Sequence, residues 1–197
     1  MSKSNSQTVK KERNRSIRWV IIIFLVTIFV SGTISLISDE VMDYSGIVVA
    51  FIILFLIILI GVVFDIIGMA VASADEKPFH SMAARKVRGA QEAILLLRHA
   101  ERVSSICNDV IGDICGVVAG SASAAVAARM LQNFTISWPK IVPLALSALV
   151  AGFTVGGKAI GKSFAVNSST QIVHTVGKIV YCLRNFFKFF KRRKSNR

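Results

Sequence analysis

Four long apolar runs constrain this chain more than any other feature of its sequence. They cover residues 19–37, 47–74, 106–130 and 141–165, and each is close to or above the roughly 20 residues that a helix needs to cross a bilayer core. Hydrophobic residues make up 53% of the chain and charged residues only 18%, which is too apolar for a soluble domain of this length. We therefore predict an all-α, polytopic membrane protein with four transmembrane helices.

The runs divide the chain into an anchor, a three-span domain and two flanking segments. Residues 1–18 form a basic tail, and residues 19–37 form an N-terminal anchor helix. This first run exceeds the roughly 7–15 apolar residues of a signal peptide and ends without a clear cleavage site, so we expect it to be retained. Residues 46–166 form the three-span transmembrane domain, and residues 167–197 form an amphipathic, basic C-terminal helix.

The distribution of charge predicts the orientation of these spans. The connection between the first two runs carries Asp39, Glu40 and Asp43 without any Lys or Arg, whereas the N-terminal tail, residues 76–105 and the C-terminal segment are basic. Because basic residues favour the cytoplasmic side, we expect both termini to be cytoplasmic and the protein to lie in the plasma membrane.

The basic segments also predict the molecular partners. A net charge of +13 would suggest nucleic acid if Lys and Arg lined one folded face, but here they cluster beside apolar runs, so we expect anionic lipids and no nucleic acid. Residues 76–105 are predicted to form a cytoplasmic amphipathic segment that lies at the membrane surface. The C-terminal segment combines an amphipathic pattern with aromatic and basic side chains, among them Phe186, Phe187, Phe189, Phe190, Lys188 and residues 191–194.

Glycines are spaced four residues apart in the last two runs, a pattern that lets helix backbones approach closely in a membrane. We predict that these glycines mark tight helix packing rather than a ligand site. They are Gly116, Gly120, Gly152, Gly156, Gly157 and Gly161.

A small set of charged residues interrupts the runs, and such residues are costly inside a bilayer and often functional. Asp65, Asp109, Asp113 and Lys158 all fall within about 6–14 Å of the same membrane surface at roughly 1.5 Å per residue. Asp109 and Asp113 are four apart and should share a helix face. With Asn108 or a freed backbone carbonyl, these carboxylates offer the hard oxygen ligands that Mg²⁺ or Na⁺ prefers. Alternatively, Lys158 neutralises the aspartates in a salt-bridge cluster that fixes helix register.

The order of segments from Ile57 onward resembles the transmembrane domain of the CNNM/CorC magnesium transporters. Residues 64–74, FDIIGMAVASA, are similar to the end of that family's first span, where an acidic residue follows small and hydroxyl residues. Residues 107–113, CNDVIGD, resemble its Gly-Asn-Asn-x-x-Asn motif, and residues 157–165 resemble its Gly-Glu-x-x-Pro-Lys motif. The resemblance implies a homodimer in which acidic, amide and hydroxyl groups bind a dehydrated Mg²⁺ whose export is driven by Na⁺ entry.

The chain departs from the family pattern at the residues that would bind the ion. Gly68 and Lys158 occupy the two acidic positions and Gly161 replaces the proline, while Asp65 replaces a serine and Asp109 and Asp113 replace asparagines. Negative charge has thus moved between helices, or Lys158 fills the place of the cation. The tandem cytosolic CBS domains usual in the family do not follow the amphipathic helix, so we expect no nucleotide regulation of that kind.

Two functions of different classes follow from these residues. The first is divalent cation binding or transport of the CNNM type, most simply of Mg²⁺; the second is a non-transporting scaffold or accessory subunit that keeps the fold. No cofactor is indicated beyond a Mg²⁺ or Na⁺ ion at the charged layer. We do not expect an enzyme, because no catalytic motif is found and His80, His99 and His174 lie in juxtamembrane segments.

Overall fold

The structure is a computed structural model that describes residues 19–37, 46–133 and 138–195, together with Ile17 and Glu40. Beyond Phe186 it describes the backbone alone. Most of the basic N-terminal tail, most of the acidic connection at residues 38–45, and the side chains of the aromatic and basic C-terminal run after Phe186 therefore lie outside the described residues.

Every regular element in the described part of the chain is helical, and four helices are long and apolar enough to cross a membrane. The all-α fold and the four candidate spans predicted from the sequence are thus confirmed. The helices are α1 Trp19–Ile37, α2 Ile47–Ser73, α3 Lys77–Ala84, α4 Ala90–Arg98, α5 Ala100–Ser105, α6 Asp113–Asn133, α7 Ile141–Asn167 and α8 Ser169–Ser195. A π-helical segment, Ile106–Gly112, joins α5 to α6.

The third span is longer than its apolar run. Together α5, the π-helical segment and α6 form one continuous helix, Ala100–Asn133. Residues 76–105, predicted as a single amphipathic segment, are therefore divided: they hold the short helices α3 and α4 and the first turns of the third span. Hydropathy predicted too late a start for this span, because the first turns of the helix carry Glu101, Arg102 and two serines.

Helices α2, α6 and α7 pack against one another and form the core of the bundle. The buried residues of α2 recur every four positions, Ala50, Leu54 and Ile58, which places them on one helix face. The partners on α6 are mostly small, and small side chains let membrane helices approach closely. The residues that pack against this face of α2 are Ala119, Ala122, Val126 and Ala127 of α6 and Leu146 and Val150 of α7.

Helix α1 lies at the margin of this bundle. None of the side chains in its most apolar stretch is buried within the chain, as expected for an anchor helix surrounded by lipid. Ile23 and Val30 pack against a small cluster on the third span, and the Arg102 guanidinium lies 5.9 Å from the centre of the Trp19 ring.

Helices α3, α4 and α8 cover the end of the bundle where α2 and α7 terminate, and we call this the basic end. Phe79 of α3 is fully buried there and packs in one cluster with Val71 of α2, Leu97 of α4 and Val173 of α8. Helix α8 begins after a break at Ser168 (φ −114°, ψ 21°), and its first turns pack on the end of α2. The amphipathic helices are thus fastened to the spans through a shared apolar cluster.

Candidate functional site

Three charged side chains from three different spans meet near the basic end. Lys158 of α7 places its Nζ atom 3.7 Å from Oδ1 of Asp65 on α2 and 3.7 Å from Oδ1 of Asp113 on α6. The side chain of Asp65 is 18% exposed and that of Asp113 is 69% exposed. We call these three residues the charge cluster; it joins the three helices of the core at one level.

The two ion pairs are loose rather than tightly hydrogen bonded. Charge-assisted hydrogen bonds between ammonium and carboxylate groups measure about 2.7–2.9 Å, so both 3.7 Å separations indicate mainly Coulombic attraction. One ammonium shared equally by two carboxylates neutralises only one of them. The cluster therefore keeps a formal negative charge.

Asp109 lies outside this arrangement although it is four residues before Asp113. Its Oδ2 atom accepts a hydrogen bond of 2.7 Å from the Ser105 hydroxyl, and its side chain is exposed. Residues four apart still meet in the π-helical segment, since Ser105 bonds to Asp109 and Asn108 bonds to Ser104. The shared helix face of Asp109 and Asp113 therefore stays a prediction, while the printed contact of Asp109 is with the preceding turn.

Asn108, in the same π-helical segment, has a buried oxygen without a partner. Its Nδ2 group donates a hydrogen bond of 3.3 Å to Ser104 Oγ, while its Oδ1 atom is buried and accepts no hydrogen bond within the described structure. This oxygen rests against Gly68 of α2, where a Cβ atom would overlap it. Leaving a buried acceptor unsatisfied costs about 1–3 kcal/mol, so this atom is a natural ligand for a cation or a water molecule.

Gly112 leaves room for the polar atoms of the charge cluster. A Cβ atom at this position would lie 3.3 Å from Asp65 Oδ1, 3.4 Å from the Cys107 carbonyl oxygen and 3.5 Å from Lys158 Nζ. A carboxylate, a carbonyl and an ammonium therefore converge on one small space. Gly112 was not among the residues predicted from the sequence; its position beside Asp113 inside an apolar run was the available signal.

The glycines predicted to pack helices fall into two groups. Gly157 and Gly161 of α7 lie against α2, where an added Cβ would approach Val62 and Ile66 to 2.9 and 2.6 Å. A Cβ on any of the others would meet nothing within 4 Å among the residues that the structure describes; these are Gly116, Gly120, Gly152 and Gly156. Gly61, which the spacing did not reveal, packs α2 against the third span, where an added Cβ would lie 2.8 Å from Cys115 Cβ.

The described residues contain no group of three or more His, Cys, Asp or Glu side chains placed to hold a metal ion. A cation at this site would thus depend on mixed ligands, namely Asp65, Asp113, the Asn108 amide oxygen and backbone carbonyls. The Lys158 ammonium would also have to move, because it lies between the two carboxylates.

Fold and site together define a polytopic membrane protein with charged residues paired between its three core spans. Comparison with protein-family models, with curated proteins and with solved structures found no match for this chain. Its function is therefore inferred from its own residues.

Proposed function

We propose that this chain is a CNNM-type integral membrane protein that binds and moves a divalent cation, Mg²⁺, through the charge cluster. The observation that carries the proposal is the buried Asn108 Oδ1 atom, which has no hydrogen-bond partner among the described residues. It lies in the same π-helical segment as the Cys107 carbonyl oxygen, which faces Asp65 across Gly112. Irregular helical turns of this kind are frequent at functional sites.

The ligand chemistry favours a hard cation. Asp65, Asp113 and Asn108 supply carboxylate and amide oxygens, which are the groups that bind Mg²⁺ in proteins. No group of three or more His, Cys, Asp or Glu side chains among the described residues offers a competing soft site. Entry of a divalent ion would displace Lys158 and satisfy both carboxylates at once.

The position of Lys158 favours a second function. Its ammonium is equidistant from Asp65 and Asp113, which is the place that a cation would occupy. If it is never displaced, the chain is a membrane scaffold or accessory subunit whose former ion site is closed by a salt bridge. The two functions make opposite predictions for removal of this lysine.

A thermal-shift experiment on the purified full chain separates them. Mg²⁺, Mn²⁺ and Na⁺ are compared on the parent, Asp113→Asn and Lys158→Met, with Lys162→Met as the matched control because Lys162 is exposed one turn further along α7. A transporter is stabilised by Mg²⁺ in the parent and loses that response in Asp113→Asn. A closed site responds to Mg²⁺ only in Lys158→Met.

Without metal, the loss of the Lys158 side chain should lower the free energy of unfolding by a predictable amount. An exposed ion pair contributes about 1 kcal/mol or less and a broken buried pair costs about 3–5 kcal/mol. We expect Lys158→Met to fall between these values, because Asp65 is mostly buried whereas Asp113 is mostly exposed. If no cation stabilises either the parent or Lys158→Met, ion binding at this cluster is refuted and the scaffold function remains.

We further propose a homodimer in the plasma membrane with both termini in the cytoplasm. Gly120 and Gly156 each lie four residues after another glycine, unlike Gly32, and an added Cβ on either would meet nothing within 4 Å among the described residues. This spacing supports close approach of a second copy. Gly120→Leu and Gly156→Leu are expected to shift the protein toward monomer in cross-linking experiments, whereas Gly32→Leu on α1 serves as control. Unchanged cross-linking in both variants would exclude these surfaces from the dimer.

The orientation is tested by cysteine labelling in intact cells. A cysteine replacing Arg88 is expected to be shielded from a membrane-impermeant reagent, and one replacing Lys140 is expected to react, because basic residues border only the cytoplasmic side. Labelling of a cysteine at position 88 from outside the cell would show that the spans have the opposite orientation.

A further inference from the structure

The exposed side of α6 differs from the lipid-facing surfaces of the neighbouring spans. Helices α2 and α7 expose large apolar side chains; for example, Phe55 and Leu59 on α2 and Phe153 on α7 are 58, 45 and 62% exposed. In α6, all of whose residues the structure describes, Val117 is the one large apolar side chain that is exposed. Lipid would therefore meet bulky side chains on α2 and α7 but few on α6.

The other exposed positions of α6 carry small or polar side chains. Between residues 113 and 128 the exposed positions follow helical spacing along one side of the helix. We call this side the open face of α6; it comprises Asp113, Val117, Gly120, Ser121, Ala124 and Ala128. A Cβ on Gly120 would meet nothing within 4 Å among the described residues. Small residues at such spacing are typical of interfaces between membrane helices, because they let two backbones approach closely.

The open face also carries a charge that lipid solvates poorly. The side chain of Asp113 is 69% exposed, although its carboxylate belongs to the charge cluster. Charged groups within transmembrane segments are costly next to lipid and usually face protein or water instead. Because the charge cluster keeps a formal negative charge after pairing with Lys158, a cover of protein on the open face would relieve this cost.

Two exposed charges of opposite sign lie at one depth beside the open face. Lys158 pairs with Asp113, so these two residues define one level of the bundle. Lys162 on α7 and Asp109 in the π-helical segment are each four residues closer to the basic end, which places both about 6 Å from that level. Both side chains are exposed, and neither forms an ion pair within the described part of the chain. Lys162 shares the face of α7 that carries Lys158 and turns toward α6.

We propose that the open face packs against the open face of a second copy of this chain, and that Asp109 of each copy pairs with Lys162 of the other. This interface rests on the homodimer proposed above and places α6 at its centre. Both copies are inserted in the same orientation, so a two-fold axis normal to the bilayer relates them and each residue meets partner residues at its own depth. Asp109 and Lys162 satisfy this condition twice, once in each direction, and the second copy covers Asp113.

Disulfide cross-linking of the full-length protein in membranes tests the position of the interface. Ala124→Cys, near the middle of the open face, is compared with Phe55→Cys on the lipid-facing surface of α2, both in a Cys182→Ser background that removes the exposed native thiol. Mild oxidation is expected to link Ala124→Cys into dimers and to leave Phe55→Cys monomeric. Failure of Ala124→Cys to link more efficiently than Phe55→Cys would overturn the proposal.

Exchange of charge between two copies tests the ion pairs. Asp109→Lys and Lys162→Asp are carried on chains with different affinity tags and expressed together. Each variant alone places like charges opposite each other at both contacts, whereas the mixed dimer places opposite charges there. We expect the mixed dimer to exceed random pairing by roughly threefold to tenfold, since each exposed charge pair contributes only modestly. Capture through one tag and quantification of the other measures this ratio, and random pairing would contradict the proposed contact.

Two variants separate this interface from ion binding. Lys162 lies outside the charge cluster, so Lys162→Met is expected to keep any Mg²⁺-dependent thermal shift, while its cross-linking through Ala124→Cys falls severalfold. Asp113→Asn is expected to lose the shift and to keep the cross-linking. Cross-linking without any cation response would refute the proposed ion binding and support the interface, whereas a cation response without cross-linking would overturn the interface alone.

Discussion

Gly61→Ala tests the closest packing of the bundle core. A Cβ at this position of α2 would lie 2.8 Å from Cys115 Cβ on α6, whereas carbon atoms in good contact are about 3.5–4.0 Å apart. The shortfall is therefore about 1 Å. Because Cys115 Cβ is attached directly to the backbone, no rotamer change relieves the overlap and the two helices must separate.

The magnitude follows from two opposing effects. Overpacking of this kind costs about 1–3 kcal/mol, and replacing a helical glycine by alanine returns about 1 kcal/mol of helix propensity. We expect Gly61→Ala to lower the free energy of unfolding by about 0–2 kcal/mol, which is about 1–3 kcal/mol below a Gly→Ala change that gains the helix propensity alone. Gly32→Ala on α1 is the matched control, since its Cβ would meet nothing within 4 Å, and it should be neutral or slightly stabilising.

The assay is reversible unfolding in mixed micelles, followed by the loss of helical circular dichroism. Adding Cys115→Gly to Gly61→Ala removes the Cβ that the new methyl group overlaps, together with its thiol, and should restore part of the stability, giving a favourable coupling energy. If Gly61→Ala matches the Gly32→Ala control, or if Cys115→Gly does not compensate, the close contact between α2 and α6 is wrong.

Three further predictions concern the basic end and the charge cluster. Arg184→Met should lower the opening free energy of α8 in hydrogen exchange by about 1–3 kcal/mol, since it strands the buried Glu92 carboxylate; Glu92→Gln should cost less because Arg184 is half exposed, and equal effects would refute this asymmetry. Gly177→Ala should increase exchange in both α4 and α8, because its Cβ meets the Gly89 carbonyl oxygen at 2.5 Å; an unchanged exchange pattern would argue against the glycine contact. Gly112→Ala should weaken any Mg²⁺-dependent thermal shift, since its Cβ would lie within 3.5 Å of Lys158 Nζ; a full shift in this variant would place the ion elsewhere.

Counting residues along the spans was sufficient to bring Asp65, Asp113 and Lys158 to one level. The rise per residue is nearly constant in a helix, so depth in the membrane can be calculated from the sequence. The partner of each side chain cannot be calculated from depth. Asp109 accepts a hydrogen bond from Ser105 in the preceding turn, and the depth of Asp109 does not signal that local contact.

The packing contacts were only partly predictable for a related reason. Glycine spacing indicates which face of a helix carries small residues. It predicted that Gly157 and Gly161 pack against another helix, and both lie against α2. It does not identify the opposing residue, so the contact of Gly61 with Cys115 required coordinates. The pairing of Glu92 with Arg184 joins segments far apart in the chain, and neither residue lies in a pattern that signals its partner.

The π-helical segment gives the third span the properties of a helix that has absorbed a single inserted residue. Deleting one residue between Ile106 and Gly112 would let α5 and α6 join as an unbroken α-helix, but everything on one side would turn by about 100° and shift by about 1.5 Å. With α6 held by the core, the turn would carry Arg102 away from Trp19. A homologous chain that lacks this residue should therefore also differ in its first helix and in the contacts of α5. Gain or loss of one codon in the π-helical segment would thus be accompanied by substitutions in parts of the protein that are distant in sequence.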